Sequence, residues 1–206
     1  MGGIALGEVL AGDVSPGGKL PMTIPTSADH LPFFDREAEE IEYGYWHGYR
    51  KLDRENIEPA FPFGFGLSYT DFKLSDVEVV GDGDISIDDN APSSLQHQIL
   101  CSVHVENMGD VQGDEVVQVY ASPVGSKIEP RAVKELVSFR RVRGLQPKEK
   151  RVVEFAIPLE RLAYYDEQAE DFRVEPCEYD LIFARSSRDN EGSVRARIRV
   201  SIKKTS

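Results

Sequence analysis

Ile99-Leu100-Cys101-Ser102-Val103-His104-Val105 places four apolar side chains at every second position, with Leu100, Ser102 and His104 between them. A period of two is the signature of a strand with one buried face. Working outward, Val117, Val119 and Ala121 repeat the pattern, as do Val153, Phe155 and Ile157, then Tyr179, Leu181 and Phe183, then Val194, Ala196, Ile198, Val200 and Ile202. Leu74 to Val80 forms the first such run. Turn-forming clusters separate them: Asp82-Gly83-Asp84, Asn107-Met108-Gly109-Asp110, Gln146-Pro147-Lys148 and Asp189-Asn190-Glu191-Gly192. About seven short strands with no helical interruption imply a mainly β chain whose body is an immunoglobulin-like antiparallel β-sandwich.

Before residue 70 the period changes. Ala5, Leu6, Val9 and Leu10 recur at helical spacing and Gly12 follows as a stop signal. Lys19-Leu20-Pro21-Met22-Thr23-Ile24-Pro25 then reads as a short extended run bounded by prolines. A helix feeding one strand is half of an α/β unit, and it needs a sheet to cover. No other such unit occurs in the sequence. Residues 26–70 lack a period but are dense in rings, from Phe33 and Phe34 through Tyr43, Tyr45, Trp46 and Tyr49 to Phe61, Phe63, Phe65 and Tyr69. This predicts an ordered connector whose rings pack into a crevice between domains.

The 206 residues carry 36 Asp and Glu against 24 Lys and Arg, a net charge of −12. Such a field repels nucleic acid and anionic membrane surfaces, so neither is an expected partner. No apolar run approaches a membrane span, and the first residues lack the pattern of a secretory leader, which leads us to expect a cytoplasmic location. The four histidines show no ligand spacing, so no metal and no cofactor are expected.

Several motifs yield to plainer readings. Gly12-Asp13-Val14-Ser15-Pro16-Gly17-Gly18-Lys19 misses the phosphate-loop spacing by one residue and leads into a proline-bounded strand instead of a helix. Gly64-Phe65-Gly66-Leu67-Ser68-Tyr69 lacks the third glycine of a dinucleotide loop. The acidic runs Asp35 to Glu42 and Asp82 to Asp89 read as solvated charge, with no apolar setting to raise a catalytic acid. Arg195, Arg197 and Arg199 form a cationic stripe that guards an edge or outer face. Cys101 and Cys177 both fall on inward faces, yet Cys101 lies mid-strand while Cys177 precedes its strand, so their pairing stays open. Trp46, with Tyr45 and Tyr49, offers either a sugar-stacking platform or rings wedged between domains.

The runs Leu10 to Pro25, Gly48-Tyr49-Arg50 and Pro59-Ala60-Phe61-Pro62-Phe63-Gly64-Phe65-Gly66-Leu67-Ser68-Tyr69-Thr70 resemble the C-terminal region of glycoside hydrolase family 3, the β-glucosidase and β-xylosidase group. Val116 to Tyr120, Lys134 to Phe139 and Tyr179 to Asp189 resemble that family's fibronectin type III-like domain, with Cys177 departing from the usual glycine. The resemblance implies three segments: 1–32, the remnant helix and strand at the end of an α/β sandwich domain; 33–70, the aromatic connector; and 71–206, the fibronectin type III-like β-sandwich. In that family the nucleophilic aspartate lies on an N-terminal barrel and the acid/base glutamate in the α/β domain. The resemblance therefore assigns this chain no catalytic residue. Asp76, although it follows Ser75 as in the nucleophile's context, sits on a sandwich strand. Expected partners are the barrel and α/β domains, on the same or a separate chain, and a carbohydrate. Trp46, Tyr49 and Arg50 are the candidate substrate-binding residues. The alternative is a free-standing structural or carbohydrate-binding module.

Overall fold

The computed structural model describes residues 2–87, 97–188 and 192–203. The end of the acidic run at Asp82 to Asp89 and all of the expected turn at 189–192 except Gly192 lie outside them.

Two sheets form the sandwich. One has strand order β1 (Phe72–Val79), β3 (Gln98–Asn107), β6 (Lys150–Pro158); the other has order β2 (Asp84–Ile87), β10 (Val194–Ile202), β9 (Glu178–Ala184), β4 (Gly113–Val124), β5 (Glu135–Leu145). A separate hairpin joins β7 (Ala163–Asp166) to β8 (Asp171–Val174). Pairing is antiparallel apart from β2, which runs parallel to β10 from Asp84 opposite Arg199 to Ile87 opposite Ile202.

The alternating residues of β3 decide the packing as their spacing predicts. Ile99, Cys101, Val103 and Val105 are buried among Val117, Val119, Val153, Phe155, Ile157, Leu181 and Phe183. Phe155 and Phe183 meet edge to face across the two sheets at 5.8 Å. Each fully buried aliphatic or aromatic side chain contributes about 1.5–3 kcal/mol, so this row anchors the domain. The pattern fails at the ends: Val80 and Ile202 are exposed. Asn107 organises the predicted turn, donating to the carbonyls of Val111 and Leu145 while its Oδ1 accepts from the Gly109 N–H. Both cysteines are free, and burial pushes the Cys101 thiol up to about 11.

The cationic stripe lies on the outer face of the sheet, and β2 flanks β10 only from Arg199 onward. Arg197 stands opposite Asp180 and Arg199 opposite Glu178, and both guanidinium groups bond these carboxylates. A cross-strand ladder thus covers the β9–β10 half of the sheet's outer surface.

Helix α1 (Gly2–Ala11) forms where the spacing predicts it, and Gly12, at φ +86°, ends it. The helix buries none of its residues. The extended run after it pairs with the connector: Ile24 and Phe61 exchange backbone bonds, the Leu20 N–H donates to the Phe65 carbonyl, and the Gly64 N–H donates to the Leu20 carbonyl.

Candidate functional site

The connector crosses the β4–β5 half of the five-stranded sheet. On β4, Val117, Val119 and Ala121 face the core, so the intervening Gln118 and Tyr120 must face the other way; both are nevertheless buried. What covers them is the segment from Tyr45 to Phe65. The Gln118 amide donates to the carbonyls of Gly64 and Arg185, and its oxygen accepts from the Tyr120 hydroxyl. Gly64 adopts φ +77°, and a Cβ there would stand 2.1 Å from the Gln118 amide oxygen. Backbone and side chain fit only with glycine at this crossing.

Trp46, Tyr49 and Arg50 come together around helix α2 (Gly48–Arg54). The Tyr49 ring sits 5.4 Å from Phe63 and 6.1 Å from Tyr120, and its hydroxyl accepts from the Leu136 N–H on β5. Burial raises its phenol above the ordinary value. Arg50 pairs with Glu135 at 2.7 Å and lies over the Tyr45 ring, whose hydroxyl accepts from the Ala132 N–H. Trp46 is braced by the edge of Tyr45 at 4.9 Å and by the Arg54 guanidinium at 4.2 Å from its ring centre.

Three residues that spacing alone does not single out complete the clamp. Asp53, its side chain 3% exposed, meets Arg188 at 3.0 Å and Lys134 at 2.8 Å. Arg188 also donates to the carbonyls of Leu52 and Ile57, placing a cation at the C-terminal end of α2. At the sheet's near end Lys19 pairs with buried Glu115 at 2.6 Å. The available signal is a polar residue at position 118 inside an apolar strand, Val116 to Tyr120.

The arrangement is a clamp of rings and ion pairs. A glycosidic general acid needs a carboxyl raised by its surroundings. Among the described residues the carboxyls that depart from their ordinary values all move down. The bond from Lys150 lowers Asp76, the Gln146 N–H lowers Glu149 and Arg199 lowers Glu178. In Asp114 partial burial works upward and is outweighed by the Gly144 N–H and Arg141. The buried carboxylates Asp53 and Glu115 are each spanned by lysine or arginine. Asp76 bonds Lys150 at 2.6 Å on an exposed bulge of β1.

Residues 1–69 match the model of the glycosyl hydrolase family 3 C-terminal domain, and residues 115–187 match that of the fibronectin type III-like domain. The chain belongs to the C-terminal region of glycoside hydrolase family 3. It is 41% identical over 209 residues to the thermostable β-glucosidase B of Acetivibrio thermocellus, covering 98% of this chain and 26% of that protein. A β-glucosidase of Bacteroides ovatus is 36% identical, with 94% of this chain and 26% of the relative covered. Among solved structures, the β-D-glucoside glucohydrolase of Trichoderma reesei superposes with a TM-score of 0.82 at 30% identity, over 97% of this chain and 29% of that one. The chain spans about a quarter of the length of the curated relatives it matches. The family 3 match ends at residue 69, where the connector meets the first sandwich strand, so strap and sandwich are recognised separately although the clamp joins them.

Proposed function

We propose that this chain is the non-catalytic supporting part of a β-glucosidase-type hydrolase, working with a barrel that supplies the nucleophilic aspartate and an α/β domain that supplies the acid/base. The observation that carries this reading is the apolar surface of the first 70 residues. Ile4, Leu10, Phe33, Phe34 and Leu67 are all exposed by more than 60%, and α1 has no sheet beneath it. Large apolar side chains exposed to this degree mark an interface awaiting its other half. A free-standing module has no use for it, which disfavours the alternative.

In this reading residues 1–32 complete an α/β sandwich domain, 33–70 strap it to the sandwich, and 71–206 buttress the strap. Trp46, Tyr49 and Arg50 border the saccharide cleft of the complete enzyme. Trp46 is the member that meets sugar, since Tyr49 and Arg50 are already engaged with β5. The purified chain is expected to release no product from an aryl β-glucoside above the buffer rate. Turnover that disappears when one of its own acidic residues is substituted overturns the proposal.

A further inference from the structure

A second ring-lined groove borders the strap at Tyr45 and Glu135 and opens between the β7–β8 hairpin and the loop at 127–131, with a volume of about 660 Å³. Small-ligand sites fall between ~300 and 1,000 Å³ and combine apolar rings with a few fixed polar groups. Tyr165 and Phe172 stand directly opposite each other on the hairpin, rings 5.3 Å apart, with 53% and 59% of the two residues exposed. Their neighbours in register on the same face, Ala163 and Val174, pack into the core, so the hairpin carries its apolar face out beyond the protein body.

The groove's polar wall is held in place before any ligand arrives. Arg131 donates to the Leu162 carbonyl at 2.7 Å and lies over the Tyr164 ring. The loop before it is fixed to Glu175, which accepts from the Ser126 hydroxyl and the Lys127 N–H. Glu129 adds a carboxylate acceptor beside the rings, while Asp166 accepts from the Gln168 and Ala169 N–H groups and so fixes the hairpin turn. This mixture differs from the bare apolar surface of the first 70 residues. The core of a protein interface is depleted in charge, whereas here charged groups alternate with rings around the opening. A pyranose has the complementary form: an apolar C–H face for a ring, and an edge of hydroxyls that both donate and accept. The carboxylates, within a chain of net charge −12, select against anionic sugars.

We infer that this groove binds a neutral oligosaccharide, stacked on Tyr165 and Phe172 and bonded at its edge by Arg131 and Glu129. The choice of a sugar among neutral ligands rests on the function proposed above. Calorimetric titration of the 206-residue chain with cellohexaose, laminarihexaose or xylohexaose tests it, with trigalacturonate as the anionic control. Saturable binding to at least one neutral hexaose is expected, weakened at least tenfold in Tyr165→Ala and in Phe172→Ala and severalfold in Glu129→Gln. Both rings are exposed, so the thermal midpoints of these variants should stay near that of the parent, which shows that any loss is local. No saturable binding to the three neutral sugars, equal affinity in the ring variants, or equal affinity for trigalacturonate each overturns the inference. None of these results alters the expectation that the chain alone turns over no glucoside, which is measured separately.

Discussion

Asp53 is the residue on which the strap depends. It is a carboxylate removed from water and shared by two cations from distant parts of the chain, Lys134 before β5 and Arg188 after β9. Their side chains are only 15% and 14% exposed. Removing one member of a buried ionic cluster leaves the others uncompensated, at a cost on the order of 3 kcal/mol. Asp53→Ala is therefore expected to lower the urea unfolding free energy by about that amount, and to loosen the Tyr49 contact with Tyr120 at the same time. Replacing Lys134 and Arg188 by methionine in the same background should recover most of the loss, because the charges left stranded are then gone. A change below ~0.5 kcal/mol in the single variant would show that the cluster is solvated and not a clamp.

At the scale of elements, the two halves of the five-stranded sheet are covered by different physics. Rings and buried amides cover β4 and β5, and an ionic ladder covers β9 and β10. The ladder makes a pH prediction. Glu178 is held below the usual glutamate range, first by its bond from Arg199 and then by nearby Arg197. A carboxyl with a lowered folded value adds stability that is complete above its unfolded pKa, near 4.3, and is lost as pH falls through the lowered value. Glu178→Gln should thus unfold at a lower temperature than the parent at pH 7, with the difference shrinking as pH falls below the unfolded value and vanishing once the carboxyl is protonated in both states. A gap that stays constant across that range would refute the ladder's contribution. The same elements show what the sequence makes legible. β3, β4, β6 and β9 are read from alternation, because one face of each carries the apolar residues of the core. β5 escapes that reading: its pairing slips near Val137, and Phe139, an apolar residue, points to solvent at 66% exposure. A bulge reverses the parity on which the reading relies. β2, β7 and β8 have four residues each, too few for a period. The strap is legible as a cluster of rings, and Trp46, Tyr49 and Arg50 fall within it. The Asp53–Arg188 pairing is not, since no periodicity links residues so far apart in the chain.

For the molecule as a whole, a clamped sandwich and strap carry exposed apolar side chains across the first 70 residues, and the chain matches about a quarter of the length of its relatives. The clamp is closed by buried ion pairs, while helix α1 buries none of its residues. A net charge of −12 sets up a field that repels polyanions. The supporting role is tested by exchange. In the Acetivibrio thermocellus β-glucosidase B, the region matching this chain is either deleted or replaced by these 206 residues, and aryl β-glucoside turnover is measured beside that of the isolated chain. The expected result is activity in the exchanged protein and none in the deleted protein or in the chain alone. Full activity in the deleted protein, or turnover by the chain alone, would show that the region is not the support we take it to be.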